Sequence, residues 1–240
     1  LIADGYPIVK DESNYFYFAY KGDYVFDKYV AFGKVNKELL VKYNRIPESR
    51  IILAQSPLVK KVNNHPYKGE RHGVMVMAYY PNQHNTNTRW DKRVKTVVDI
   101  VRCVLNSGET NVLIKIKDGS ASSLELKFYM ECFSRYGLSN RVEVVTGELN
   151  QYVFSVKYIV GQISTALFES ICADTPYYIY EPYDCGVLDA DIETSALIKP
   201  EDVFRDLKNL EEAINKNSGY YNVVDKEIII GGKDLSSVCL

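Results

Sequence analysis

Short apolar runs alternate with longer amphipathic stretches through the middle of this chain, and each run stops at a glycine, a proline or a small polar turn. Residues 74–80 stop at Pro81-Asn82, 112–116 at Lys117-Asp118-Gly119, 142–145 at Thr146-Gly147, 158–160 at Gly161 and 177–180 at Glu181-Pro182. Between the runs lie helical periodicities. The plainest follows Thr88, with Asp91 in capping-box position and Val94, Val97, Val98, Val101, Val104 and Leu105 on one stripe of a 3.6-residue repeat. Leu124, Phe128 and Cys132 mark a helix over 124–136, and further helices are expected over 149–156, 166–173 and 202–214. Strands followed by helices in this rhythm pair in parallel through right-handed crossovers. The fold class expected is therefore α/β, a Rossmann-like parallel sheet with helices on both faces, with five strands and five helices in residues 74–216.

Residues 1–60 carry one more strand, helix and strand, over 27–32, 34–43 and 50–54. Asn44 is placed to take the left-handed position after that helix. This stretch reads as the tail of a second Rossmann-like domain, and Leu1 in place of an initiator methionine fits a piece of a longer protein. Residues 61–73, KVNNHPYKGERHG, are polar and hold a proline and two glycines, as a linker does. Residues 217–240 read as a C-terminal extension.

Composition removes several classes of function. The 240 residues carry a formal net charge of −2, so no basic field calls for nucleic acid. No apolar run nears the roughly 20 residues that span a bilayer. Five scattered cysteines without a CxxC fit a reducing compartment, and three histidines lack metal-ligand spacing. GxGxxG, GxxxxGK[ST] and GxSxG are all missing, which disfavours dinucleotide, P-loop and α/β-hydrolase chemistry.

In an open parallel sheet the strand-end turns converge on a crevice at the carboxyl edge, where ligands bind. The turn Gly161-Gln162-Ile163-Ser164-Thr165 opens a helix there, and Ser164 suits its N-cap. Such a helix end favours an anion by about 0.3–1 kcal/mol. Ser164 and Thr165 as a plain cap are the competing role. Glu169 lies four residues after Thr165, one turn in, where a carboxylate accepts ribose hydroxyls; a solvent-facing glutamate fits the same position. The other turns offer Asn82, Lys117, Gly147 and Glu148, with Gln162 in the main turn. Lys115 shares the face of Lys117 but lies further from the edge. Asp4, before Gly5, is a candidate general base in a cleft between domains.

Two passages resemble GT-B glycosyltransferases. GQISTALFES followed by ADTPYYIYEP is similar to their nucleotide-binding segment, a strand ending in a polar turn with paired Ser/Thr and then a helix carrying a Glu. DKYVAFGKVNKELLVKYNRIPESRIILAQSP resembles the passage that precedes their second Rossmann domain. The nearest types are bacterial transferases of capsular, lipopolysaccharide or teichoic-type polymer synthesis, sialyltransferase-like families included. Ser164-Thr165 matches the family's pair, and Ala3-Asp4-Gly5 keeps the second acid of its acidic-acidic-Gly motif; Lys117-Asp118-Gly119 stands where a His-Pro is usual.

The resemblance implies the C-terminal, nucleotide-sugar-binding domain of such an enzyme plus a remnant of the first. It implies transfer of a sugar from a nucleotide-activated donor to a cell-surface glycan, with no cofactor and no metal. Ser164, Thr165 and Lys117 would hold phosphates, Glu169 the ribose and Asp4 the acceptor hydroxyl. The place would be the cytoplasm or the cytoplasmic face of an inner membrane. A sugar-nucleotide 2-epimerase shares this fold and needs no acceptor. A non-catalytic GT-B shell that binds a glycan or a partner is the third reading.

Overall fold

The structure, a computed structural model, describes residues 27–56, 59, 69–78, 90–116, 122–164, 166–183, 192, 198–221 and 231–233. A small sheet is built from β1 (Tyr29–Phe32), α1 (Gly33–Asn44) and β2 (Ile51–Ala54), with β1 and β2 parallel from Tyr29 beside Ile51 to Phe32 beside Ala54. A larger unit follows. Its elements are β3 (Val74–Met77), α2 (Trp90–Asn106), β4 (Val112–Lys115), α3 (Ser122–Arg135), β5 (Val142–Val145), β6 (Tyr158–Gly161), α4 (Ala166–Cys172), β7 (Tyr177–Tyr180), β8 (Val203–Phe204) and α5 (Leu207–Asn215). The six strands lie in the order β5-β4-β3-β6-β7-β8, all parallel. Counted along the chain within the unit, this is the doubly wound order 3-2-1-4-5-6.

Strand alternation divides the apolar residues between two cores. Val74, Val76 and Ala78 of the β3 run face one side with Val112, Ile114, Val160, Tyr178 and Tyr180, under α2, α3 and α5. Met75 faces the other with Ile159, Tyr177 and Ile179, under α4 and the chain that leaves β5. β6 and β7 are buried at every residue, as strands covered on both faces must be. The α2 stripe is seated as its spacing predicts: Val94, Val97, Val98, Val101 and Val104 are all buried. Its expected cap at Thr88 lies outside the described residues.

Three local expectations are corrected. Residues 149–156 form a 3-10 turn, Leu149–Gln151, and then irregular turns. Leu149, Val153 and Val156 keep the helical spacing and are buried. The carbonyl of Val153, however, accepts the Thr175 hydroxyl at 2.6 Å, and the Lys157 N–H that a helix would send back to it goes to Gly73 at 2.9 Å. Residues 202–214 are not one helix. Asp202 closes a 3-10 turn by accepting the Lys199 N–H at 2.8 Å, Val203 and Phe204 pair with Ile179 and Tyr180 as a sixth strand, and Asp206 restarts the helix by accepting the Asn209 N–H at 2.8 Å. After α1 the left-handed residue is Arg45 (φ 52°), while Asn44 ends the helix.

The C-terminal stretch meets both sheets. Tyr221 donates its N–H to the Tyr177 carbonyl at 2.7 Å beside β7. Residues 231–233 run along β2, where Gln55 N–H donates to the Lys233 carbonyl at 2.7 Å and Lys233 N–H to the Leu53 carbonyl at 3.3 Å.

Gly161 ends β6 where neighbours crowd in: a Cβ there would lie 2.5 Å from the Tyr177 hydroxyl and 2.7 Å from Met77 Cβ. Gly161→Ala is therefore expected to cost about 1–3 kcal/mol in urea unfolding, as overpacking does. Leu210→Ala, at a fully buried position of α5, is expected to cost about 2–5 kcal/mol. Burial also raises the Tyr178 hydroxyl from its ordinary 10.0 to about 12. The unfolded chain then ionises first, so stability is full below pH 10.0 and falls as pH climbs toward about 12. Denaturation midpoints across that window should show a shallower fall in Tyr178→Phe.

Candidate functional site

The strand order reverses between β3 and β6. The chain leaving β3 enters α2 on one face of the sheet, and the chain leaving β6 enters α4 on the other. Their carboxyl ends part there and leave the crevice in which folds of this order bind ligands. The turn Gly161-Gln162-Ile163-Ser164 lies at its edge. Ser164 begins α4: its hydroxyl accepts the Ala166 N–H at 3.3 Å and its carbonyl the Leu167 N–H at 3.1 Å.

Two buried side chains of β7 and its end hold this turn from below. The Tyr177 hydroxyl, reaching over Gly161, donates to the Gln162 carbonyl at 2.8 Å. Burial pushes its ionisation well above the ordinary tyrosine range, partly offset by a hydrogen bond with Ser164, so it stays a protonated donor. Glu181, 4% exposed, accepts the Ile163 N–H at 2.7 Å through Oε1. Arg205, just past β8, donates to the Glu181 carbonyl at 2.6 Å and lies over the Tyr183 ring at 4.6 Å. A carboxylate and a guanidinium thus sit behind the turn, both partly or wholly out of water.

The expected site residues divide. Gln162 and Ser164 are half-buried in the turn, and Glu169 is half-buried in the first turn of α4. Gly147 (φ 91°) and Glu148, which is exposed, follow β5 at the same carboxyl edge, with β4 and β3 between them and β6. The chain beyond them turns back so that Leu149 and Val153 pack on Leu167 and Ile171 of α4, bringing that turn toward the helix of Glu169. Asp4, Asn82, Lys117 and Thr165 lie outside the described residues.

The structure also describes Lys115, which the sequence places behind Lys117, and brings in Glu181 and Arg205, to which no site role was given. Lys115, 5% exposed at the end of β4 beside Met77, donates through Nζ to the Ile116 carbonyl at 2.5 Å. Lys115 is thus a buried amine at the carboxyl end of β4. Glu181 had a faint signal: Tyr177, Ile179 and Glu181 alternate, so the acid continues a buried face of β7. Among the described residues no group of three His, Cys, Asp or Glu side chains is placed to hold a metal ion, and no helix is long and apolar enough to cross a membrane.

No protein-family model matches the sequence, and no curated protein matches it. Solved structures do. The Methanocaldococcus jannaschii UDP-GlcNAc 2-epimerase in complex with UDP-GlcNAc and UDP aligns with a TM-score of 0.53 at 12% identity, over 85% of this chain and 59% of that one. The S. aureus MnaA–UDP co-structure aligns with a TM-score of 0.50 at 10% identity, over 87% and 54%. The wall teichoic acid polymerase TagF gives a TM-score of 0.48 at 10% identity, over 79% and 49%. The chain spans between about half and three-fifths of the length of these proteins. At such identities the likeness is one of fold. The chain is α/β, with a six-stranded parallel sheet flanked by helices, and it matches the Rossmann-like architecture of GT-B proteins.

Proposed function

We propose that this chain is the nucleotide-sugar-binding part of a GT-B enzyme that transfers a sugar from a nucleotide-activated donor to a cell-surface glycan. The observation that supports this reading is the position of the Ser164 turn, at the crevice where the strand order reverses and a helix begins. Ser164 and Thr165, with Lys117, take the donor phosphates, and Glu169 takes the ribose hydroxyls. Asn82, Gly147, Glu148 and Gln162 are assigned the remaining donor contacts. The Ile163 amide is engaged by Glu181, so phosphate contacts fall to the Ser164 and Thr165 hydroxyls and to amides beyond Ile163. Asp4 serves as general base toward the acceptor hydroxyl. The helix dipole and Lys117 neutralise the leaving phosphate, without a metal. The enzyme would work in the cytoplasm or at the cytoplasmic face of the inner membrane on lipopolysaccharide- or capsule-type glycans.

The panel of nucleotides to test begins with UDP and UDP-GlcNAc, which the M. jannaschii epimerase holds, followed by CMP and GDP. Incubating UDP-GlcNAc alone, without acceptor, separates transfer from 2-epimerisation. A nucleotide at 100 times its Kd is expected to stabilise the chain by about 2.7 kcal/mol in thermal unfolding. The double change Ser164→Ala, Thr165→Ala is expected to weaken that nucleotide about tenfold or more in calorimetry, since each lost hydrogen bond is worth about 0.5–1.5 kcal/mol. Unchanged affinity would show the phosphate assignment to be wrong. EDTA is expected to leave nucleotide affinity unchanged, and a loss on chelation would place a metal in the site.

A further inference from the structure

The turn 161–164 is held more firmly than a helix start requires. Ser164 already caps α4 with its own hydroxyl, and Gly161 already makes the tight approach to β7. Glu181 adds a carboxylate that is 4% exposed. Taking such a charge from water is costly unless its oxygens are hydrogen-bonded and a counter-charge is near. The turn supplies such a hydrogen bond. Oε1 accepts the Ile163 N–H at 2.7 Å, a charge-assisted bond of normal length. The Arg205 guanidinium donates to the backbone carbonyl of the same residue at 2.6 Å. The Glu181 N–H donates to the Phe204 carbonyl at 3.0 Å, so its backbone is fixed by the β7–β8 ladder while its side chain reaches back toward β6. The Tyr177 hydroxyl holds the preceding carbonyl, that of Gln162, at 2.8 Å. The peptide group joining Gln162 to Ile163 is thus gripped at both its oxygen and its nitrogen by side chains of the neighbouring strand.

We propose that Glu181 is a positioning residue of the nucleotide site: its buried carboxylate sets the Gln162–Ile163 peptide plane and so aims Ser164 into the crevice. The inference rests on the nucleotide reading above. It assigns a role to an acidic residue that does not itself touch the ligand. An acid pointing into an anion site would repel phosphate; one turned back onto the Ile163 amide does not present its lone pairs to it. The hydrogen-bonded oxygen, rather than the negative charge, carries the role.

Three forms of the whole chain test this: native, Glu181→Gln and Glu181→Ala. Amide hydrogen exchange of peptides spanning 158–168 is measured without ligand, and UDP binding is measured by calorimetry. Glu181→Ala is expected to speed exchange of the turn amides about 10–100-fold, with the β3, β4 and β7 amides unchanged, and to weaken UDP by about tenfold or more. Glu181→Gln, which keeps an acceptor oxygen, is expected to restore both readings to within roughly threefold of native. Native exchange and native affinity in Glu181→Ala overturn the proposal. So does faster exchange throughout the sheet that Gln does not rescue, which marks a packing role only. Failure of the native chain to bind UDP, CMP or GDP sinks the nucleotide reading, and the ligand-free exchange data then decide the brace on their own.

Discussion

Burial of the central strands on both faces is the constraint from which the larger unit follows. β3, β6 and β7 have no face for water, so each must be apolar on both sides and each neighbour must be reached by a crossover. Helices are then needed on both surfaces. Once α2 covers one and α4 the other, the chain has to reverse direction across the sheet between β3 and β6. The crevice is thus a product of core packing. The polar turn at its edge exists because a strand buried on both sides must end abruptly, and Gly161 is what lets it end against β7.

The electrostatics at that edge are mixed. Lys115, Glu181 and Arg205 all lie at or just past strand ends, and all are wholly or partly removed from water. Each is held by backbone groups of the strand-end turns: Lys115 by the Ile116 carbonyl, Glu181 by the Ile163 amide, Arg205 by the Glu181 carbonyl. Glu181 and Arg205 tie the turns after β6, β7 and β8 to one another, while Lys115 bonds within its own turn.

Much of this architecture was legible from residue order, because hydrophobic period and turn residues are local signals. The expected run at 142–145 matches β5, that at 177–180 matches β7, and the valine stripe of α2 is buried as its spacing requires. Where the reading failed, a long-range bond had displaced a local preference. Residues 149–156 carry helical spacing, yet Thr175 takes the carbonyl the helix would need. Val203 stands four before Leu207, as in a helix, yet it pairs with Ile179. Of the site, Ser164 and its turn could be found from the glycine, the hydroxyls and the following helix. Glu181 could not be assigned a role from its neighbours in sequence, since its partner Ile163 lies 18 residues away.

The hydrogen bonds that join Lys233 with Leu53 and Gln55 bear on how the chain reaches its fold. The small sheet forms early in sequence, but the segment running beside β2 belongs to the far end of the described chain. The larger sheet is different: every pairing in it except β3 with β6 joins strands consecutive in the chain, so those closures span far shorter stretches than the one from β2 to Lys233. Contacts of such different sequence separation form at different speeds. During synthesis the larger sheet has what it needs to assemble before residues 231–233 emerge. Docking of that last segment is then a late step, and until it arrives the Leu53 carbonyl and the Gln55 N–H lack the partners they have in the fold.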